Sequence, residues 1–121
     1  MKKVFICSPF KPVGGTSPEE RRRSQIKNES LARMACRMAV EKGCVPYAPH
    51  LYFTQFLDDS IPEERELGMM FGLTWLKKCD EVWVVGDDVS EGMEREIRSA
   101  WRWEIPIKRV NTAKKALLSI R

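Results

Sequence analysis

Short segments with apolar interiors alternate with helical patterns, and this alternation constrains the fold more than any other feature of the chain. The segments "KVFIC" at 3–7 and "EVWVV" at 81–85 are typical of strands buried on both faces of a parallel sheet. Further strands are predicted at 44–48 and 105–110, and helices at 25–42, 60–78, 91–103 and 112–120. This order predicts an α/β fold, a flavodoxin- or Rossmann-like three-layer sandwich with a four- to five-stranded, mostly parallel sheet.

Local signals mark the ends of several elements. Gly43 is placed to stop the first helix, and Pro46 favours a sheet edge because proline cannot donate to a strand ladder. Ser60 and Glu63 have the spacing of a capping box. The segment 11–23, with two glycines and two prolines, is predicted to be a polar loop. Helical spacing predicts that two apolar sets face the core: Leu31, Met34, Ala35 and Met38, then Leu67, Met70, Phe71, Thr74 and Trp75.

Length and hydropathy limit the class of protein. With 121 residues, of which 43% are hydrophobic, the chain is predicted to form a single domain, 1–121. No apolar run has the length of a membrane span, and the apolar stretch at 4–7 is too short for a secretion signal. We therefore expect a cytoplasmic protein.

Cysteine spacing and net charge indicate which ligands and partners to expect. Four cysteines without a C-x-x-C pair, together with one histidine, predict reduced thiols and neither a metal site nor a cofactor. The net charge of +4 mildly favours anionic small molecules such as phosphorylated compounds. The basic run at 21–23 follows two glutamates and lacks interleaved aromatic residues, so nucleic acid is not an expected partner.

Three segments follow the carboxyl ends of predicted strands, at 8–15, 48–53 and 86–92. In parallel sheets, ligands bind beyond these ends, at the point where the strand order reverses. The sequence therefore predicts one crevice that these three segments surround.

The helix after "GDD" carries three glutamates in "SEGMEREIRSA". Glu91 and Glu94 each have an arginine four residues on, which is typical of a solvated helix face. Glu96 has no such cation, and it lies at the edge of the stripe formed by Met93 and Ala100. Two interpretations stay open: a boundary glutamate that reaches solvent, or a carboxylate placed for chemistry.

Ser90 and Gly92 open the same helix. A serine hydroxyl, free N–H groups and a glycine that admits close approach form an anion-binding arrangement. The alternative is that Ser90 is simply the N-cap, and the two roles are compatible.

The segments "KVFICSPF", "CDEVWVVGDDVSEGMEREIRSA" and "IPI" resemble the nucleoside 2-deoxyribosyltransferase-like superfamily. The resemblance covers nearly the whole chain and extends to a subgroup of small phage and bacterial proteins with segments like "APHL" and "FLDD". In that superfamily, a glutamate four residues after a glycine is the catalytic nucleophile, which implies that role for Glu96. The substrate-binding residues that the resemblance implies are Ser8, Pro9, Phe10, His50, Ser90, Gly92 and Met93.

The implied reaction is a retaining double displacement at an N-glycosidic carbon, resolved by water or by a second base. Asp87 and Asp88 are the candidate proton donors; alternatively they form a plain turn in which Asp88 caps the helix. The superfamily usually has an acidic residue about two dozen positions before the nucleophile, a place that falls near Gly72 here. His50 is a candidate for that missing polar group, or it is structural.

Three functions follow from this interpretation. The first is an enzyme that cleaves or exchanges the base of a (deoxy)nucleoside or nucleoside 5′-monophosphate. The second is a non-catalytic nucleotide-binding module, a sensor or sponge, and the third is an assembly protein with a vestigial pocket. For the first two, the arginines at 21–23 are predicted to bind phosphate from a loop. A homo-oligomer is also expected, because neighbouring subunits often complete the pocket in this superfamily.

Overall fold

The structure, a computed structural model, describes residues 1–10 and 17–121. Its elements run along the chain as β1 (Lys3–Cys7), α1 (Pro18–Glu41), β2 (Val45–Tyr47), α2 (Pro49–Tyr52), a 3₁₀ turn (Phe53–Gln55), α3 (Pro62–Leu76), β3 (Glu81–Val85), α4 (Glu91–Arg102), β4 (Ile107–Asn111) and β5 (Ala116–Ser119). Among the helices of these two ranges, none combines the length and the apolar character needed to cross a membrane.

The strands form a sheet in the order β2-β1-β3-β4-β5. The first four are parallel neighbours, and β5 runs antiparallel to β4. Because the chain passes from β1 to β2 on one side and then to β3 on the other, the strand order reverses between β1 and β3. The predicted mostly parallel sheet is confirmed, as is the edge position of the strand that contains Pro46.

Helices cover both faces of the sheet, because the side chains of the central strands alternate between two apolar cores. Val4 and Ile6 of β1 pack with Ala35 and Met38 of α1. Phe5 and Cys7, on the opposite face, pack with Leu76 of α3 and with Met93 and Ala100 of α4. This confirms the three-layer α/β arrangement.

The first helix begins much earlier than the sequence pattern predicted. Ser17 is its N-cap, with a side-chain oxygen that accepts a hydrogen bond from the backbone N–H of Glu20 at 3.1 Å, and Pro18 occupies the first turn, where proline is favoured. The arginines at 21–23 therefore lie on a helix, so the prediction that they form part of a loop is wrong for residues 18–23. Residues 11–16 of that predicted loop lie outside the described residues. Gly43 ends the helix with a φ of +75°, as predicted.

The third helix turns a different face to the core than its pattern predicted. Ser60 does not cap it, because Ile61 is the N-cap position and the Ser60 hydroxyl donates to Asp58 instead. Gly72 and Leu76 are its buried residues. All five residues of this helix that were predicted to face the core are exposed, as is Met34 of α1: Leu67, Met70, Phe71, Thr74 and Trp75.

The chain end forms a strand rather than the predicted helix. Asn111 and Lys115 belong to a tight turn, in which the Asn111 side chain accepts from the N–H of Lys114 and Lys115 takes a φ of +49°. The turn folds β5 back along β4, and Leu117 then packs against the core on the α1 side. Packing of Leu117 and the hairpin ladder override the helical pattern of 112–120.

Candidate functional site

Glu96 is a buried carboxyl on α4, the helix that follows the carboxyl end of β3. The residue is 2% exposed, and within the described residues its Oε1 atom has no hydrogen-bond partner. By contrast Glu94 lies on the solvated face, where it pairs with Arg98 at 2.8 Å as its spacing predicted. The predicted pair of Glu91 with Arg95 is not formed, because Arg95 binds Glu66 of α3.

Small and apolar groups surround the Glu96 carboxyl. A Cβ atom added at Gly72 would lie 3.7 Å from Oε2 of Glu96 and 3.9 Å from Cβ of Pro49. The thiol of Cys7 also lies against this carboxyl, and its Sγ is 3.8 Å from the carbonyl oxygen of Met93. No basic group forms a salt bridge with Glu96 in the described part of the chain.

These surroundings change the acidity of both groups. Burial raises the pKa of Glu96 to about 8, and the opposing effects of the Cys7 thiol and of Arg95 are smaller. Burial, with the nearby Glu96 carboxyl, raises the pKa of the Cys7 thiol well above its usual value. At neutral pH the site therefore holds a mostly protonated Glu96 beside an unreactive thiol.

A cavity of about 170 Å³ opens beside Glu96. We call it the Glu96 cavity. It lies at the carboxyl edge of the sheet, between α2, α3 and the start of α4, where a crevice was predicted. Its lining consists of Phe10, Pro49, His50, Phe53, Thr54, Leu57, Asp59, Glu64, Arg65, Gly68, Met69, Ser90, Glu91, Gly92 and Glu96.

One wall of this cavity is aromatic. The rings of Phe10 and His50 are stacked, with centroids 5.1 Å apart and planes inclined by 13°. Burial lowers the pKa of His50 to about 4, so the imidazole is neutral near pH 7. A neutral stacked pair of this kind offers a flat surface for a planar ring such as a nucleobase.

The remaining charges of the Glu96 cavity are mainly negative. Asp59, Glu64 and Glu91 contribute carboxylates, whereas Arg65 contributes the cation. Glu64 accepts a hydrogen bond from the N–H of Asp58 at 3.0 Å. Arg65 forms no salt bridge with another described residue, so its guanidinium is available to a ligand.

Ser90 and Gly92 lie where α4 begins. The Ser90 side chain accepts a hydrogen bond from the N–H of Met93 at 3.3 Å, so the N-cap interpretation is confirmed. At Gly92, an added Cβ would lie 3.1 Å from Cε of Met69, which is a close contact. Both residues also line the Glu96 cavity, so capping does not remove them from the site.

Asp87, Asp88 and Pro9 lie elsewhere. They line a second cavity of about 830 Å³ on the other side of Ser90, together with residues of α1 and of the turn between β4 and β5. Arg109 supports this region, because its Nη1 donates to the carbonyl oxygen of Gly86 at 2.9 Å. The structure therefore does not bring the two predicted proton donors into the Glu96 cavity.

Two other predicted site residues are buried away from both cavity surfaces. Met93 packs in the core between α4 and the sheet. Ser8 is 1% exposed, and its Oγ atom has no hydrogen-bond partner within the described residues. Neither residue contributes to the lining of either cavity.

Sequence reasoning missed the contribution of α3. Arg65, Gly68 and Met69 lie on one face of this helix at helical spacing, and all three line the Glu96 cavity. The two small residues Gly68 and Gly72, four apart, were the available signal for the face that approaches α4. No cluster of three or more histidine, cysteine, aspartate or glutamate residues suited to a metal ion occurs among residues 1–10 and 17–121.

The sheet order and the position of this cavity place the protein among flavodoxin-like α/β proteins. Its cavity is acidic, lies at the carboxyl edge of the sheet and contains a buried carboxyl group. The chain belongs to the family described as "Domain of unknown function (DUF7768)", whose sequence model matches residues 2–110. No curated protein matches the chain. Among solved structures, it is similar to a 2-deoxyribosyltransferase from the psychrotolerant bacterium Bacillus psychrosaccharolyticus. That likeness has a TM-score of 0.65 at 15% identity, covers 89% of this chain and 71% of the other, and shows the fold.

Proposed function

We propose that this protein cleaves the N-glycosidic bond of a (deoxy)nucleoside or nucleoside 5′-monophosphate, or exchanges its base, with Glu96 as the nucleophile. The observation that carries the proposal is the position of the Glu96 carboxyl, buried and without a salt bridge, in a cavity that also contains a stacked aromatic pair. The likeness in fold to a 2-deoxyribosyltransferase supports it.

In the first step, an ionised Glu96 oxygen attacks the anomeric carbon of the sugar. The bond from that carbon to the base nitrogen breaks, and the base leaves with the electron pair and takes up a proton. In the second step, water or another base attacks the glycosyl ester and releases the Glu96 carboxylate. The Phe10–His50 pair holds the base by stacking.

Proton transfer to the leaving base requires an acid within the same cavity. Asp59, Glu64 and Glu91 are the other carboxyl groups of that lining and are the candidates for this role. Asp87 and Asp88 are less suitable, because they line the second cavity.

The alternative, a non-catalytic nucleotide-binding module, is favoured by two observations at Glu96. Gly72 lies near the position where the resemblance predicts a second acid, and as a glycine it offers no carboxylate to share the proton of Glu96. With its pKa at about 8, Glu96 is mostly protonated at neutral pH and a weak nucleophile in the free protein.

An assay of free base release distinguishes the N-glycosidase from the non-catalytic binding module. Purified protein is incubated with ribo- and deoxynucleosides and their 5′-monophosphates, and free base is measured by chromatography. The enzyme proposal predicts release that falls by about three orders of magnitude or more in Glu96→Gln and persists in Glu94→Gln, a matched change on the exposed face of α4. Absence of release from every substrate, with ligand-induced thermal stabilisation, would establish the binding module instead.

A further inference from the structure

The second cavity meets the Glu96 cavity at Ser90, which lines both. We propose that this second cavity binds the phosphate chain of a nucleotide whose sugar lies at Glu96, so that nucleoside di- and triphosphates are the preferred ligand class. The inference rests on the proposed function for the place of the sugar, and it extends that function to a second site.

Size separates the roles of the two cavities. Pockets for small ligands usually enclose about 300–1,000 Å³. The Glu96 cavity, at about 170 Å³, is below that range, whereas the second cavity, at about 830 Å³, is within it. A nucleotide that places its sugar at Glu96 must therefore extend beyond the first cavity, and the shared wall at Ser90 leads into the second.

The charges of the two linings also favour the sugar in the first cavity and the phosphate chain in the second. With Glu96 set aside, the first cavity has three carboxylates, Asp59, Glu64 and Glu91, against Arg65. The lining of the second cavity is balanced, since Lys27 and Arg109 face two carboxylates, Asp87 and Asp88. A phosphate chain is repelled by the excess of acid in the first cavity, whereas the second offers two cations in a lining without excess acid.

Asn28 provides an independent sign of a ligand in the second cavity. It lies on α1, is 8% exposed and lines this cavity, and its Nδ2 atom has no hydrogen-bond partner in the described part of the chain. A buried amide donor without an acceptor is unfavourable, and rotation of the Asn28 side chain toward the cavity would let a phosphate oxygen satisfy it. Arg109 donates to Gly86 through Nη1 and keeps further N–H groups for a phosphate.

Calorimetric titration of the Glu96→Gln protein tests the proposal without turnover. The probes are 2′-deoxynucleosides of the four bases and their 5′-mono-, di- and triphosphates, with Mg²⁺ present. We expect at least about a tenfold lower Kd for the di- or triphosphate than for the nucleoside of the preferred base. Lys27→Ala and Asn28→Leu should remove most of that difference, and Lys42→Ala, at the far end of α1, should leave it unchanged.

Equal affinity for nucleoside and triphosphate would overturn the proposal, as would a phosphate preference that Lys27→Ala leaves intact. Lys27 is exposed, so this variant remains decisive if Asn28→Leu does not fold. The base-release assay on wild-type protein keeps the two proposals apart. Release without a phosphate effect overturns only the second site, and a phosphate effect without release overturns only the N-glycosidase.

Discussion

Gly72 of α3 faces the carboxyl group of Glu96 on α4: a Cβ atom added at Gly72 would lie 3.7 Å from Oε2 of Glu96, an ordinary van der Waals distance. The sequence resemblance predicted an acidic residue near this position, about two dozen residues before Glu96. In this chain the glycine instead allows the Glu96 carboxyl to pack beside the backbone of α3, buried and apart from a second carboxylate.

Substitutions at Gly72 test this relation. Gly72→Ala places a methyl group at an ordinary contact distance and favours the helix, so the free energy of unfolding should stay the same or rise by up to about 1 kcal/mol. Gly72→Asp should lower it by about 2 kcal/mol or more, because a second carboxyl would be forced against a buried one. Denaturant titration measures both changes.

Gly68→Ala is the matched control for Gly72→Ala. Its added methyl group would also meet an ordinary contact, 3.6 Å from Cδ1 of Leu57, and no atom of Glu96 lies within 4 Å of it. Similar stabilities are expected for the two alanine variants. A much less stable Gly72→Ala protein would show that the Glu96 carboxyl needs the space above this glycine.

The raised pKa of Glu96 also predicts how stability depends on pH. Its pKa is about 8 in the folded protein, against an ordinary value of 4.5. The stabilisation from its bound proton is therefore complete below about pH 4.5 and is lost as the pH rises through 8. The glutamine of Glu96→Gln has no proton to lose in this range. The free energy of unfolding of the variant minus that of wild type should therefore rise by a few kcal/mol from pH 5 to pH 9.

Denaturant titrations at several pH values measure that difference. Taking the difference between variant and wild type cancels the other titrating groups, including His50. Glu94→Gln serves as the control: its exposed partner Arg98 makes a weak pair, so its curve should run parallel to that of wild type. A parallel curve for Glu96→Gln as well would show that the buried carboxyl titrates in the ordinary range.

The parts of the fold that sequence predicts well are those that local patterns determine. The bounds of β1 and β3 agree with the prediction because short apolar runs between polar turns have few alternative placements. The end of the chain was mispredicted because the residues at 112–120 fit a helix locally, and only the packing of Leu117 and pairing with β4 select a strand.

In the candidate site, too, local patterns reveal some residues and only tertiary packing reveals others. Glu96 can be identified from the sequence, because it lacks a cation four residues away and its helical neighbours are small or apolar. The residues of α3 cannot be assigned in this way, since larger apolar side chains such as Trp75 give a misleading core face. The approach of α3 to α4 depends on Gly72, whose importance appears only when the two helices are packed.

If Glu96 is the nucleophile, base release should depend on its ionisation. The value of kcat/KM should rise about tenfold per pH unit below the pKa of about 8 and level off above it. The initial rate of base release between pH 5 and pH 9, with a nucleoside that does not titrate in this range, provides the measurement.

His50→Gln is the control for this pH profile. An ordinary histidine titrates near 6.5, but His50 has a pKa of about 4 and should contribute no limb above pH 5. The variant should therefore keep the rise toward pH 8. A limb that moves or disappears in His50→Gln would assign the titration to the imidazole rather than to Glu96.

Glu81 is a second buried carboxyl, and its surroundings are the opposite of those at Glu96. Its oxygens accept hydrogen bonds from Nζ of Lys2 at 2.6 Å, from Nζ of Lys108 at 3.0 Å and from Nε1 of Trp83 at 3.0 Å. Burial alone would raise its pKa, but these three donors outweigh it and lower the pKa to about 2. The stabilisation from the charged Glu81 is therefore present above about pH 4.5 and is lost as the pH falls toward 2.

Glu81→Gln should reduce the free energy of unfolding at pH 7 by about 1–3 kcal/mol, because two ammonium groups lose their shared carboxylate. The difference from wild type should shrink at pH 3, where protonation of Glu81 in the unfolded wild-type chain has begun to remove the same stabilisation. Lys2→Ala should cost less at pH 7, since its side chain is half exposed and Lys108 remains bound to Glu81. Denaturant titrations at the two pH values give the comparison. A difference of the same size at both would mean that Glu81 stabilises the sheet by its shape and hydrogen bonds, with no contribution from its charge.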